Sequence, residues 1–299
     1  MSKKVVYGKS SEASYTRNTR IKSAIIVIVL LLLTVICLLP LYILIINSTR
    51  NVTQITTEGV SLIPGSSLIR NIKELLNNDL YAMVYDPLIG LRNSLFLAGS
   101  STFLIVFFSA MTAYGLVVYD FKAKGIAFTF ILAVMMVPVQ VTSTGFLQFM
   151  IQLDLEDTYW PLIIPGIASP AIVFFMRQSL KSTFPLEIVE AARIDGCGEF
   201  KTFIKIAIPM MKPAIAVQAI FAFISKWNDY YTTSMILISG KLKQKTLPMM
   251  VSAVMSNDKT ADYGVNYTAI MLSIIPVCAV YLALSKFIIA GVALGGVKE

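Results

Sequence analysis

Residues 24–46 read AIIVIVLLLLTVICLLPLYILII, a run of 23 residues without a charge. A bilayer's hydrocarbon core is ~30 Å thick and a helix rises ~1.5 Å per residue, so a run of this length crosses it. Lys3, Lys4, Arg17, Arg20 and Lys22 precede the run. A secretory signal also begins basic, but its apolar stretch is only ~7–15 residues and ends at a small-residue cleavage site. This run ends Ile45-Ile46-Asn47 and reads as an anchor.

Working outward, the rest of the 299-residue chain has the same character. It is 56% hydrophobic and 14% charged, against roughly a quarter charged in ordinary soluble domains, and its mean hydropathy is +0.74. Further uncharged or nearly uncharged runs occupy about 94–118, 125–151, 158–176, 213–237 and 266–285. The expected fold is therefore an all-α integral membrane protein of six transmembrane helices, one membrane domain over 23–290. Pro40, Pro138, Pro161, Pro165, Pro170 and Pro276 fall within the runs, and each predicts a kink or a break.

An even number of spans puts both ends on one side, and the basic amino terminus assigns that side to the cytoplasm. The acidic loop with Asp154, Glu156 and Asp157 then lies outside, and Arg177, Lys181, Arg193, Lys201, Lys205 and Lys212 lie inside. The last outer loop breaks the rule: Lys241, Lys243, Lys245 and Lys259 outnumber Asp258 and Asp262. Residues 1–22 read as a cytoplasmic tail, disordered over its polar first ~20 residues, and 291–299 as a second cytoplasmic tail.

With no histidine in the chain, imidazole catalysis and histidine metal ligation are excluded. Cys37, Cys197 and Cys278 are too scattered to suggest a disulfide framework or a metal site. The +8 balance of 25 Lys+Arg over 17 Asp+Glu is explained by membrane orientation, so no nucleic acid partner is expected. Gly8-Lys9-Ser10 lacks the earlier glycine of a phosphate loop, since Lys3 stands there. Asn51-Val52-Thr53 and two similar triplets are formal glycosylation acceptors only. No cofactor is expected.

The informative segment is the inner loop 177–212. Pro185 suits a first helical turn, Glu187 and Glu190 sit where the helix dipole favours acid, and Gly196 is placed to end that helix in a left-handed conformation. A second helix carries Phe200, Phe203, Ile204 and Ala207 at spacings of three and four before Pro209 stops it. Physics alone reads this as a helix-turn-helix on the cytoplasmic face, either docking a soluble partner or resting on lipid headgroups.

Glu190-Ala191-Ala192, then Gly196, then Ile206-Ala207-Ile208-Pro209 resembles the EAA loop of ATP-binding-cassette importer permeases. Met136-Val137-Pro138, Gln140, Asp157-Thr158-Tyr159-Trp160, Trp227-Asn228-Asp229 and Gly295-Gly296-Val297-Lys298 resemble the carbohydrate branch, most closely the smaller of the two maltose-type permeases. The resemblance covers about Ile21 to Glu299. It implies a type I importer permease fold without enzymatic activity of its own. Glu187, Glu190, Ala191, Ala192, Asp195, Gly196 and Pro209 would couple to the ATPase, and a translocation path would touch Gln140, Trp227, Asn228 and Asp229. Its implied partners are a second permease subunit, two ATP-binding cassette subunits, an extracytoplasmic sugar-binding protein and the lipid bilayer of a prokaryotic cell membrane. Lys226, and Tyr231 to Ser234, depart from the family pattern.

Two other classes fit less well. A self-sufficient secondary carrier commonly needs coupling charges at the bilayer midplane, and only Lys226 and Asp229 are offered. A membrane enzyme would need an acid, base or metal set that the sequence does not supply.

Overall fold

The computed structural model describes the backbone of residues 9–256 and 262–296, and the side chains of 19–256 and 262–283. The tail residues 1–8 and 297–299, and Asp258 and Lys259 of the last outer loop, lie outside the described residues. Among the described residues every regular element is helical. The chain divides into two compact units, residues 1–72 with 262–271, and residues 73–261 with 272–299.

The first unit is built on α1 (Lys9–Ser48). No glycine or proline interrupts the chain from Lys9 to Leu39, so the helix that the apolar run nucleates propagates back through the polar tail. The expected disorder there is corrected from Lys9 onward. From Thr19 to Pro40 every residue is exposed on all faces, as befits a helix whose solvent is lipid.

Beyond Ser48 the chain turns into α2 (Val52–Glu58), opened by a capping box between Asn51 and Gln54, and α3 (Leu68–Asn77). Polar groups fasten these turns together. The Asn71 amide donates to the carbonyls of Ser48 and Arg50, at 2.9 Å each, and the Thr268 hydroxyl donates to Ser48 at 3.3 Å. Gly264 packs so closely on the Arg50 carbonyl that a β-carbon there would collide with it.

The second unit starts with α4 (Asp79–Ala82) and α5 (Pro87–Val118). The Asp86 carboxylate caps α5, accepting from the amides of Leu88 and Ile89 at 3.0 Å, and Pro87 fills its first turn. This corrects the expected start at 94: Arg92 interrupts the uncharged run but not the helix. Run 125–151 is two helices, α6 (Lys124–Met135) and α7 (Val139–Gln152), meeting at 93° across Pro138.

After Asp154 and Asp157, both with positive φ, the chain forms α8 (Trp160–Ile163), a 3-10 turn (Ile164–Ile167) and α9 (Pro170–Thr183). The fourth span therefore ends beyond 176, and Arg177 rides inside α9 with its guanidinium 3.8 Å from the centre of the Phe128 ring. A cation can stay in the helix because an aromatic face receives it.

The inner loop contributes α10 (Glu187–Ile194), α11 (Glu199–Thr202), a π-helical segment (Phe203–Ala207) and α12 (Ile208–Met210). Run 213–237 is likewise split. α13 (Lys212–Trp227) breaks at Asn228-Asp229 before α14 (Tyr230–Ile236). α15 (Leu247–Met255) and α16 (Tyr263–Gly296) complete the chain.

Among the described residues four stretches are long and apolar enough to cross a membrane, namely Thr19–Ser48, Asp79–Val118, Trp160–Thr183 and Tyr263–Ala283. Two sharply bent pairs, α6 with α7 and Glu199–Met210 with α13, raise the number to six if each is one span.

α5 is the axis of the second unit. Ala98, Ser101, Ser109, Ala110 and Ala113 along it are fully or almost fully buried, and such small residues let neighbouring backbones approach where lipid gives no hydrophobic drive. One core joins Ala110 and Tyr114 to Met176 and Leu180 of α9 and to Ala222 of α13. A second joins Leu97 to Met150, Leu162, Ile236 and Met249.

Candidate functional site

The segment 185–211 is seated on the first of those cores. Val189 of α10, with Phe203 and Ala207 of the π segment, is buried in it, and Ala192 is buried beside them. On a helix these inward positions leave the opposite face free: Glu187, Glu190, Ala191, Asp195 and Gly196 are all exposed. Next to them stand two bare apolar side chains, Ile194 at 87% and Phe200 at 63% of full exposure.

The turn between the helices closes as the sequence predicts. Gly196 has φ +73°. Its amide donates to Arg193 at 3.0 Å, and the Cys197 amide donates to Ala192 at 2.9 Å, the paired bonds of a Schellman motif. No atom lies within 4 Å of where a β-carbon at Gly196 would be, so backbone conformation, not crowding, selects glycine here.

Pro209 does not stop the second helix. The Ile208 amide reaches back five residues to Phe203, and this wider register absorbs the missing N–H of the next residue. Helix continues through Met210, and the chain turns at Met211 to meet α13 at 81°.

A polar cluster that the sequence reading missed pins the turn. Arg193 Nε donates to Glu199 at 2.7 Å, and the Tyr119 hydroxyl donates to the same carboxylate at 2.7 Å. Tyr119 caps the end of α5, and Lys124 Nζ donates to its carbonyl at 2.8 Å from the start of α6. The bonds from Arg193 and Tyr119 hold the Glu199 carboxyl below its ordinary range. Burial first, and the bond to Glu199 second, push the Tyr119 phenol up to about 12. Acid at position 199 six residues after a base was a visible signal, but a tyrosine eighty residues away was not.

The other expected residues divide. Trp227 is buried and packs against Phe223, ring centres 5.7 Å apart and ring planes inclined at 32°. Asn228 and Gln140 are exposed, in the break after α13 and in the first turn of α7. Asp229 alone of the four lines a cavity of about 550 Å³, together with Thr142, Ser143, Ser225, Lys226 and Thr232.

Lys226 and Asp229 face each other there at 3.9 Å, and Asp229 also caps α14 by accepting from the Thr232 amide at 3.0 Å. The Ser143 and Tyr231 hydroxyls, 3.0 Å apart, tie α7 to α14. Ser225 and Lys226 also border a more apolar cavity of about 710 Å³. Among the described residues no group of acidic or cysteine side chains could hold a metal ion.

Residues 80–293 match the family described as "Binding-protein-dependent transport system inner membrane component". The chain is 34% identical to an arabinooligosaccharides transport system permease of Bacillus subtilis over 90% of this chain and 93% of the relative. It is 30% identical to a lactose transport system permease of Rhizobium radiobacter over 90% and 94%. A solved bacterial ABC transporter involved in the import of the acidic polysaccharide alginate superposes with a TM-score of 0.73 at 22% identity, over 95% of this chain and 99% of that one. The chain therefore belongs to the inner membrane components of binding-protein-dependent transport systems, and it is a translocation subunit, not an enzyme.

Proposed function

We propose that this chain is one of two permease subunits of an ATP-binding-cassette importer that moves a sugar or oligosaccharide into a prokaryotic cytoplasm. Six spans place both termini inside, and α10 presents Glu187 and Glu190 to a separate ATPase subunit. A second permease completes the pore, two ATPase copies dock below it, and a sugar-binding protein delivers substrate from outside. The observation that carries the coupling role is the build of α10. Its inner face is locked into the core through Val189 and Ala192, while its outer face offers acid and apolar side chains to something else.

Movement of the docked ATPase would then be passed to α5, α9 and α13, on which the loop sits. Any ligand-driven shift of this kind needs a partner that binds two arrangements unequally, which ATP-driven closure supplies. The cavity between α7, α13 and α14 is the part of the path assigned to this subunit. Its hydroxyls and its Lys226–Asp229 pair suit a polyhydroxylated substrate. The relatives named for sugar transport support that class, although a permease of Yersinia enterocolitica named for sn-glycerol-3-phosphate transport is also 29% identical to this chain.

The test is purification of the tagged chain in mild detergent, identification of its companions, and reconstitution in vesicles. Uptake that needs ATP, the ATPase and the binding protein, and that survives collapse of ion gradients, is the expected result. Uptake by this chain alone on a proton or sodium gradient would reverse the assignment.

A further inference from the structure

The segment 59–65, Gly-Val-Ser-Leu-Ile-Pro-Gly, lies in what the sequence presents as an ordinary water-facing loop. Its contacts trace a different path. At its rims the Gly59 carbonyl accepts from Arg50 at 2.9 Å, and the Gly65 amide donates to the Thr49 hydroxyl at 2.7 Å, both beyond the end of α1. Between the rims the contacts move down the helix. The Ser61 carbonyl accepts from the Asn47 amide at 3.0 Å, and the Leu62 carbonyl accepts from the Tyr42 hydroxyl at 2.9 Å.

Tyr42 precedes Asn47 by five residues, about 7 Å along the axis at 1.5 Å per residue, and it belongs to the uncharged run. A helical side chain leans toward the helix amino terminus, here away from the membrane surface. The segment thus dips beside the apolar span and climbs back to its rim.

At the tip, Val60, Leu62 and Ile63 are 59%, 56% and 75% exposed. Part of the polar backbone around them is nevertheless paired within the protein. The Ser61 amide donates to Asn47 Oδ1 at 3.1 Å, the Ile63 amide donates to the Ser61 hydroxyl at 3.0 Å, and Pro64 has no N–H to satisfy. Each such pairing lowers the cost of taking the segment out of water, because an unmet backbone group costs several kcal/mol in hydrocarbon, and the groups left over can reach headgroups and interfacial water at the bilayer rim.

We propose that residues 59–65 form an interfacial hairpin that inserts Leu62 and Ile63 into the bilayer beside α1, with lipid as the occupant of its apolar tip. The lipid-facing surface of α1 runs directly into this tip, so the two form one continuous apolar face. The hairpin would fix the height of α1 in the membrane, in the way an amphipathic anchor does. The inference uses only the membrane-embedded character of the chain and does not depend on which substrate is carried.

The test is site-directed spin labelling of the full-length chain, with Cys37, Cys197 and Cys278 replaced by serine. The chain and its co-purified subunits are reconstituted in phosphatidylethanolamine–phosphatidylglycerol vesicles. Labels at Leu62→Cys and Ile63→Cys should collide more with oxygen than with a water-soluble nickel chelate. The order should reverse at Thr57→Cys and Ser66→Cys. Both tip residues are exposed, so the labels displace no packing.

A label-free arm uses Ile63→Trp, whose added emission should be lost to brominated lipid and kept in acrylamide. Dominant nickel collisions at the tip would show a water-facing loop and overturn the proposal. Protection from both reagents would show that a protein subunit covers the tip, and would overturn it equally.

Discussion

The Tyr119 hydroxyl lies 2.7 Å from the Glu199 carboxylate, and joins the end of α5 to the turn that presents Glu190. Glu199 also receives Arg193, so one carboxylate holds the loop in place from two sides. Tyr119→Phe should leave the chain in the membrane at normal levels, since both groups lie outside the helix interior. It should reduce transport per ATP hydrolysed several-fold. Glu199→Gln should do the same, and equal ratios of uptake to hydrolysis in both variants and the parent would refute a coupling role for the cluster.

The same cluster predicts a pH window. The folded carboxyl of Glu199 is depressed, so its stabilising contribution is present above the ordinary glutamate range and is lost as pH falls through the depressed value. Tyr119 is raised to about 12, so its contribution is present below the ordinary tyrosine value and is lost as pH climbs through about 12. Protease sensitivity of the 193–200 turn should therefore be flat across neutral pH and rise at both extremes. In Glu199→Gln the acid limb should vanish.

Gly196→Val should be costly although space is open around it. A β-branched residue at φ +73° pays ~1 kcal/mol or more in conformational strain. Gly196→Asn, which tolerates that region better, should retain more activity. Both should insert normally. Substrate-stimulated ATP hydrolysis of the reconstituted complex, alongside membrane levels, is the measurement, and indistinguishable activity of both variants and the parent would remove the argument for the turn.

Glu190→Lys acts through a different mechanism. Its side chain points away from the core, so the fold should be indifferent to the change, while docking to a basic partner should turn from attraction to repulsion. Loss of ATPase co-purification without loss of the permease is the expected result. Normal recovery of the ATPase with this variant would count against the docking surface.

For the cavity, Asp229→Asn retains an acceptor for the Thr232 amide but removes the charge facing Lys226. Asp229→Ala removes the cap as well, at ~1 kcal/mol. Uptake should fall in Asp229→Asn at unchanged membrane level, and combining it with Lys226→Gln should restore part of it. Normal uptake by the single Asn variant would take the ion pair out of the translocation path.

What could be read in advance followed from local chemistry. The apolar runs, the break at Pro138 and the left-handed Gly196 each depend on a few adjacent residues, and each is found. A charge beside an apolar run does not mark a helix limit. Arg92 and Arg177 lie within α5 and α9, while the true start of α5 was signalled by Asp86-Pro87. Buried ties such as Asn93 to the carbonyls of Lys243 and Lys245, at 2.9 and 3.0 Å, join segments far apart in the chain. Composition carries no trace of such a pairing. Trp227 illustrates the same limit from the other side: its motif marked a place in the chain, but only packing decided that its ring would face Phe223 and not the cavity.

The π-helical stretch Phe203–Ala207 holds one residue more than an α-helix of the same height would need. It lies between the turn at Gly196 and α13, just before Pro209. Deleting one residue there would remove the surplus and with it the wider register that accommodates Pro209, whereas one deletion inside α13 would rotate all that follows by ~100°. The surplus residue is slack stored at the joint between loop and bundle, and a joint with slack can change its winding without breaking its ladder of bonds.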